Sequence, residues 1–166
     1  MIEQHELNDI WSLYFHDPND SNWTYDGYTK LCDITTAEEF AEVNFMLKSS
    51  IAKGSFFIMR EYVFPCWDDV NNIKGGCLSL KIGQDHAYDV WSAIASKMLG
   101  EKLLKDTSDW NNVNGLSISP KKWYCIIKIW MKDVHLNDKK YFDLPNTNSE
   151  ILFKTNQSSI DACHTR

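Results

Sequence analysis

Short runs of β-branched and aromatic residues recur along this chain, and each run ends in residues that favour turns. The strand-forming runs lie at positions 11–15, 28–34, 55–60, 76–82, 116–119, 124–131 and 151–154, of which the second could instead be irregular. Runs that follow one another across short turns pair most simply as antiparallel neighbours. One face of such a sheet has to be covered by helices, because its apolar side chains would otherwise meet water. The pattern therefore predicts an α+β fold with a single, mostly antiparallel sheet and helices on one face.

Two segments carry the signals of a helix. Thr36, followed three residues later by Glu39, forms a capping box, which predicts that a helix starts there. The segment 85–104 is the longest predicted helix, because four apolar residues recur on one stripe of it. Those residues are Val90, Trp91, Ile94 and Met98. Both helices can therefore pack an apolar face against the sheet.

The length of 166 residues predicts a single domain over residues 1–166, large enough to bury a substantial core. The polar ends, residues 1–6 and 156–166, are expected to be flexible. The first residues lack a basic segment followed by an apolar run, and no stretch is long enough to span a bilayer. We therefore expect a cytoplasmic protein with no membrane association, and we expect a monomer.

The cysteines and the charge argue against several kinds of site. The chain has five cysteines and no CxxC pair, which argues against both a zinc site and a disulfide framework. A net charge of -6 argues against wrapping long stretches of nucleic acid, which needs a basic surface. A short ligand with a few phosphates is compatible with a local cluster of lysines. Abundant Asn, Lys and Ile with few Arg are typical of an A/T-rich genome, as in some protists and large viruses of eukaryotes.

The loop at 64–76 places an indole and a carboxylate on adjacent residues, Trp67 and Asp68, among Pro, Asn and Gly residues. An indole offers a stacking face to a flat base, and a carboxylate accepts hydrogen bonds from N–H groups on the edge of a base. The alternative is that Trp67 lies in the core and Asp68 satisfies a turn or a helix cap. The rest of the chain favours the base-binding interpretation.

Seven short pieces of the chain, taken in order, resemble the eukaryotic translation initiation factor 4E family of cytoplasmic mRNA cap-binding proteins. The pieces are His5-x-Leu7, Trp11–Phe15, Trp23, Thr36–Phe40, Pro65–Gly76, Leu99–Glu101 and Ile127–Trp130. Each piece is weak alone, but seven in register are hard to produce by chance. The resemblance implies a curved sheet with helices on its convex face and a ligand slot on its concave side.

The resemblance assigns four residues to the cap-binding slot. Trp23 and Trp67 would sandwich the 7-methylguanine base, whose positive charge adds cation–π attraction to stacking, about 1–3 kcal/mol for each ring. Asp68 stands where the family usually has Glu, and it would accept hydrogen bonds from the N1–H and N2–H groups of the base. Trp130 would pack on the N7-methyl group, although a Trp in an apolar strand is otherwise a core residue.

On the phosphate side of this slot the chain departs from the family. Ser119 stands where the family has Arg, and the turn that follows is about two residues longer. Lys121 and Lys122 are the natural substitutes, because their amines can reach a triphosphate without a fixed geometry, and Lys74 and Lys128 are next in line. The alternative is that the lysine pair is only the solvated tip of a hairpin.

The helix-side surface departs further. The family holds partner helices with a Tyr-x-x-x-x-Leu motif there, using a Trp on the first helix and leucines on the second. This chain has Ala41, Ser92 and Ser96 at those positions, next to the His5–Leu7 segment. Loss of an anchoring indole costs about 2 kcal/mol or more. An initiation-factor 4G-like scaffold or an inhibitor is therefore expected to bind weakly, unless its own sequence has changed to match.

Three function classes follow from the resemblance. The first is an initiation factor that binds capped mRNA and supports cap-dependent translation, and the second is a cap-binding repressor or competitor without standard scaffold binding. The third is an enzyme that acts on caps or nucleotides. Hydrolysis would need a carboxylate cluster to hold a metal, whereas Asp68 and Asp69 stand alone and the five histidines are scattered. We therefore expect a binding protein without a cofactor rather than an enzyme, and most simply the first class.

Overall fold

A computed structural model describes residues 3–165, and in it seven strands form one antiparallel sheet in the order β2-β1-β3-β5-β6-β4-β7. The strands are β1 Glu6–His16, β2 Tyr28–Thr36, β3 Ser55–Arg60, β4 Gly76–Gly83, β5 Val113–Pro120, β6 Tyr124–Met131 and β7 Ile151–Thr155. The helices are α1 Ala37–Leu47, α2 Ala87–Leu99 and α3 Asn156–His164. The predicted α+β fold with one antiparallel sheet is confirmed.

The two faces of the sheet have different surroundings, because side chains alternate along each strand. One face packs under α1 and α2 and forms the main core, in which Ile127 and Ile129 of β6 join Trp91 and Ile94 of α2. The other face, on the concave side of the curved sheet, carries a smaller cluster of buried residues. This second cluster consists of Phe57, Met59, Val63, Cys77 and Trp130.

The start of α1 agrees with the sequence, but the end of α2 does not. Thr36 Oγ1 accepts from the Glu39 backbone N–H at 3.1 Å, and Glu39 Oε2 accepts from the Thr36 N–H at 3.2 Å, which is the predicted capping box. The prediction of a helix over 85–104 was wrong at its end, since α2 stops at Leu99. Gly100 follows, and Glu101 takes a positive φ of 58°, a backbone conformation that ends a helix.

The two ends that are expected to be flexible contain ordered hydrogen bonds in the described residues. Residues 156–164 form α3, because the Thr155 hydroxyl caps the Ser158 N–H at 3.2 Å and Asn156 is buried. At the other end the His5 carbonyl accepts from the Ala37 N–H at 2.9 Å. The first two residues and residue 166, which these predictions also cover, lie outside the described residues. No helix among residues 3–165 is long and apolar enough to cross a membrane.

A buried arginine joins three strands at the end of β3. The Arg60 side chain is 3% exposed, and its Nη1 group donates to Asp9 Oδ2 at 2.7 Å. Its Nε group donates to the Val113 carbonyl oxygen at 2.6 Å, and its Nη2 group donates to the Trp110 carbonyl oxygen at 3.1 Å. The guanidinium carbon lies 4.9 Å from the ring centre of Trp11 and 5.4 Å from that of Trp110. This single side chain therefore fastens β1 and β5 to β3.

Candidate functional site

A cavity of 490 Å³ lies on the sheet face that α1 and α2 leave open, with α3 on its rim. It brings together most of the residues that the sequence analysis assigned to ligand binding, although these are up to 107 positions apart. The predicted residues that line it are Trp23, Trp67, Asp68, Lys121 and Trp130. A smaller cavity of 270 Å³ near β7 has no indole in its wall, so we place the candidate site in the larger one.

Trp23 stands on the rim of the cavity in a loop built from consecutive Asx turns. In these turns Asp17, Asp20 and Asn22 each accept with a side-chain oxygen from the backbone N–H two residues ahead. The indole is 51% exposed, as expected for a Trp that follows a polar turn. It lies parallel to the His16 ring, with 3.7 Å between the ring centres and 2° between the planes. One indole face is therefore covered, and the side chain is held in place although it is exposed.

In the loop that carries Trp67 and Asp68, the neighbouring carboxylates of Asp68 and Asp69 have different hydrogen-bond partners. Asp69 Oδ1 accepts from the Asn71 backbone N–H at 2.9 Å and from its side-chain amide at 3.1 Å, so this carboxylate builds the turn. Asp68 is exposed, lines the cavity and has no hydrogen bond within the described residues. The alternative in which the acid satisfies a turn therefore applies to Asp69, and Asp68 is available to a ligand.

Three buried asparagines, Asn72, Asn114 and Asn156, hold the same loop from behind, and we call them the asparagine triad. The Asn72 amide donates to the Cys66 carbonyl at 2.8 Å and to the Phe64 carbonyl at 2.9 Å. Asn114 of β5 donates to Asn72 Oδ1 at 2.9 Å, and Asn156 of α3 donates to the Asn72 carbonyl at 2.7 Å. The triad therefore ties the loop to a central strand and to α3.

Trp130 fits both interpretations that the sequence left open. Its side chain is 3% exposed and belongs to the second buried cluster, yet it forms part of the cavity floor. The indole N–H donates to Ser117 Oγ at 2.9 Å, which fixes the ring, and Phe57 meets it edge-on with 6.4 Å between ring centres. Trp130 thus offers a rigid apolar contact from below.

The two predicted phosphate-binding lysines lie in different places. Lys121 lines the cavity, whereas the Lys122 ammonium lies over the exposed Trp123 ring, 5.1 Å from its centre, and is outside the cavity wall. Lys128, which is the next candidate from the sequence, lines the cavity, and its ammonium lies 5.3 Å from the centre of the Trp67 ring. Burial lowers the pKa of Lys128, and the positive charges of Lys121 and Lys154 lower it further.

The helix-side surface is polar where α1 meets α2. Ser92 accepts from the Asn44 amide at 2.9 Å, and Ser96 turns back to donate to the Ser92 carbonyl at 2.6 Å. Ala41 is exposed and fills little of this surface. Both serine hydroxyls are therefore bonded within the protein, and the side chains at the three predicted anchor positions are small.

The N-terminal part of the same predicted surface is held to α1. His5 bonds Glu38 twice, from its backbone N–H at 3.0 Å and through Nδ1 at 2.7 Å, and these bonds lower the pKa of Glu38 to about 2. Leu7 packs against the main core. His5 is therefore an exposed group at the start of α1, while Leu7 is partly committed to the interior.

Comparison with known proteins gives consistent matches. The model of the family described as Eukaryotic initiation factor 4E matches residues 6–163. A homolog of eukaryotic translation initiation factor 4E from Acanthamoeba polyphaga mimivirus is 26% identical over 136 residues, which cover 69% of this chain and 50% of the relative. The factor from Eremothecium gossypii is 26% identical over 139 residues, 79% of this chain and 64% of that relative. The chain therefore matches about half to two thirds of these relatives.

Solved structures share the fold. A complex of C. elegans eIF4E-3 with the 4E-binding protein Mextli and cap analog superposes with a TM-score of 0.79, at 18% identity, and covers 96% of both chains. A complex of Ascaris suum eIF4E-3 with m2,2,7G cap gives a TM-score of 0.69 at 18% identity, covering 80% of this chain and 76% of that one. Both neighbours thus share the overall fold of this chain.

Proposed function

The chain belongs to the eukaryotic initiation factor 4E family, and from that premise we propose that it binds the 7-methylguanosine cap of mRNA and supports cap-dependent translation initiation. The observation that carries the proposal is the meeting of two indoles and an unbonded carboxylate in one cavity of 490 Å³. That volume suits a nucleotide-sized ligand. The solved neighbours bound to cap analog and to m2,2,7G cap support the same ligand class.

The base would lie between Trp23 and Trp67. N7-methylation gives guanine a delocalised positive charge, so that stacking on each indole is reinforced by cation–π attraction, about 1–3 kcal/mol for each ring. The His16 ring already covers one face of Trp23, which leaves the opposite face for a base. Trp130 would support the N7-methyl group from the floor of the cavity. Selectivity for the methylated base follows, because unmethylated guanine lacks the charge.

The test of this function compares m7GTP with GTP. We expect m7GTP to quench tryptophan emission and to bind much more tightly than GTP, since only the methylated base brings a cation to the indoles. Fluorescence titration gives both affinities, and chromatography of the recovered ligand shows whether it has been hydrolysed. Equal affinities would contradict the sandwich, and hydrolysis of m7GTP would favour the enzyme class instead.

Asp68 would accept hydrogen bonds from the N1–H and N2–H groups on the edge of the base. We expect Asp68→Asn to weaken m7GTP binding by about tenfold or more, because the amide presents a donor to groups that are themselves donors, and a hydrogen bond to a charged group contributes about 1.5–3 kcal/mol. Isothermal titration calorimetry measures the loss. Asp68→Glu is the matched control and should retain binding, while an almost silent Asp68→Asn would assign the base edge to Asp69 or to a backbone carbonyl.

The phosphate groups of the cap would form ion pairs with Lys121 and Lys128, which both line the cavity. Lys121→Ala should weaken m7GTP binding about fivefold at low salt, the equivalent of about 1 kcal/mol for a solvent-exposed charge pair, and should flatten its dependence on ionic strength. Lys122→Ala is the matched control: it removes the same charge one residue away, from a side chain outside the cavity wall. Equal losses in the two variants would mean that only the general charge of the turn matters.

A second candidate function is a cap-binding repressor or competitor, and the polar surface between α1 and α2 favours it. We expect a Tyr-x-x-x-x-Leu peptide to bind weakly, because Ala41, Ser92 and Ser96 offer no large apolar contact at the centre of such an interface. Fluorescence anisotropy of a labelled peptide measures this affinity. Ala41→Trp should strengthen binding by restoring the anchor, and tight binding by the unmodified chain would favour the initiation factor instead.

A further inference from the structure

The face of the sheet that carries the cavity continues beyond it along β6. Because side chains alternate along a strand, Ile126, Lys128 and Trp130 share one face, and all three line the cavity. Tyr124, the first residue of β6, is two positions before Ile126 and therefore lies on the same face, outside the cavity wall. Its side chain is half-buried, so part of it stays open to a ligand.

Lys81 of β4 adds a positive charge to this face next to the cavity. Its neighbours Leu80 and Ile82 belong to the main core, so Lys81 points to the other side of the sheet, where it is exposed. Lys81 pairs with Ile126, two residues before Lys128, which makes Lys81 and Lys128 diagonal neighbours. Such neighbours lie about 7–8 Å apart, within the reach of long side chains. Lys81 therefore extends the positive charge of the cavity wall.

The ammonium group of Lys81 is held by an aromatic ring rather than by a carboxylate. It lies 4.3 Å from the centre of the Tyr124 ring, a distance at which cation–π attraction operates. Lys30 and Lys97, in contrast, pair with aspartates at 2.8 Å and 3.0 Å. Within the described residues no carboxylate pairs with Lys81. Its positive charge is therefore not cancelled by the protein and is available to an anion.

The orientation of the proposed ligand places Lys81 beyond the cap triphosphate. The base would stack on Trp67 and the phosphates would bind Lys121 and Lys128, so the RNA that follows leaves the cavity past these lysines. Lys121 and Tyr124 are the two ends of the tight β5–β6 turn, in which the Lys121 N–H donates to the Tyr124 carbonyl at 2.7 Å. Lys81 and Tyr124 therefore lie where the next phosphate of the RNA arrives.

We propose that Lys81 binds the first phosphodiester group of the RNA that follows the cap, and that Tyr124 is the positioning residue for its ammonium group. The inference rests on the proposed function, because the bound cap fixes where the RNA leaves the cavity. The contact is independent of base sequence, since every nucleotide carries a phosphate. A chain with a net charge of -6 attracts RNA weakly in general, so the contact adds affinity only once the cap is bound.

The test compares m7GpppA with m7GpppApG, which carries one phosphodiester and one nucleoside more, by calorimetry at several salt concentrations. We expect the wild-type chain to bind m7GpppApG about fivefold more tightly at low salt. The slope of log affinity against log salt should be steeper by about 0.7 for m7GpppApG, as for one phosphate contact with a single strand. Lys81→Ala should abolish both differences, whereas Lys81→Arg keeps the charge and should retain them.

Tyr124 and Lys154 supply the matched variants. Tyr124→Ala should reduce the preference for m7GpppApG to about twofold, because the ammonium group is no longer held, and Tyr124→Phe keeps the ring and should restore the preference. Lys154→Ala is the control for charge. Lys154 pairs with Cys77 and so shares the same face, but within the described residues no ring holds its ammonium group. This variant should keep the fivefold preference.

The outcomes separate the inference from the function. A wild-type chain without preference for m7GpppApG, or an equal loss of preference in Lys81→Ala and Lys154→Ala, would overturn the inference while cap binding remains. Absence of binding to m7GpppA and m7GTP by the wild-type chain would overturn the proposed function as well. A Tyr124→Phe variant without the preference would overturn the role of the ring. If Tyr124→Ala fails to fold, the Lys81 variants decide, because Lys81 is exposed and its replacement leaves the core intact.

Discussion

Trp67→Ala is expected to weaken binding of m7GTP by more than tenfold, and Trp23→Ala by a similar factor. Each indole would contribute about 1–3 kcal/mol of stacking and cation–π attraction to the methylated base. The effect of Trp67 is expected to be the larger, because its ring packs against the second buried cluster, which limits its movement. Calorimetry is the appropriate measurement, since both variants remove a fluorophore.

Trp123→Ala is the matched control for these variants. Its indole is 76% exposed at the β5–β6 turn and does not line the cavity, so its loss should leave the affinity for m7GTP within about twofold of wild type. Thermal unfolding of all three variants checks the fold. If Trp67→Ala and Trp123→Ala weaken binding equally, the sandwich is wrong and the ligand binds elsewhere.

Arg60→Ala is expected to lower the free energy of unfolding by about 3 kcal/mol or more. The change removes the donor to the Val113 and Trp110 carbonyl oxygens and empties the space that the guanidinium fills beside the Trp11 and Trp110 rings. An unsatisfied buried polar group costs about 1–3 kcal/mol, and the cavity adds to that cost. Urea denaturation followed by circular dichroism measures the loss.

The Asp9→Asn variant distinguishes the contribution of the Arg60–Asp9 ion pair to stability from the contribution of Arg60 packing. Asp9 is 35% exposed, and its amide replacement can still accept from Arg60, so we expect a loss of about 1 kcal/mol or less. A loss as large as that of Arg60→Ala would show that the charge of the pair, rather than its hydrogen bonds and packing, stabilises the junction of β1, β3 and β5.

Local patterns were sufficient to predict most of the fold. Hydrophobic runs between turn residues indicated the antiparallel sheet, and Thr36 with Glu39 located the start of α1, because these signals act within a few residues. The end of α2 was missed because Gly100 in an apolar stretch is a weak stop signal on its own. α3 was missed because its polar sequence looks like a free tail, whereas buried Asn156 is held by bonds to residues about 80 positions away.

The family resemblance was sufficient to predict which distant residues meet in one cavity. The four residues that the resemblance assigns to one slot, Trp23, Trp67, Asp68 and Trp130, line the same cavity. The resemblance could not separate Lys121 from Lys122, because the orientation of adjacent side chains in an enlarged turn depends on its tertiary contacts. His16 was passed over for a related reason: nothing in the sequence indicates that its ring stacks on an indole seven residues away.

The asparagine triad also has a consequence for the order in which the protein matures during synthesis. The ribosome makes a chain from its amino end, so the loop at 64–76 is made long before Asn114 and Asn156, which hold it through Asn72. A nascent chain that stops short of α3 contains both Trp23 and Trp67. It lacks the hydrogen bond from Asn156 to the Asn72 carbonyl, which holds the loop that carries Trp67. Competence to bind a base is therefore expected to arrive late in translation, so that incompletely made chains compete poorly with finished ones for ligand.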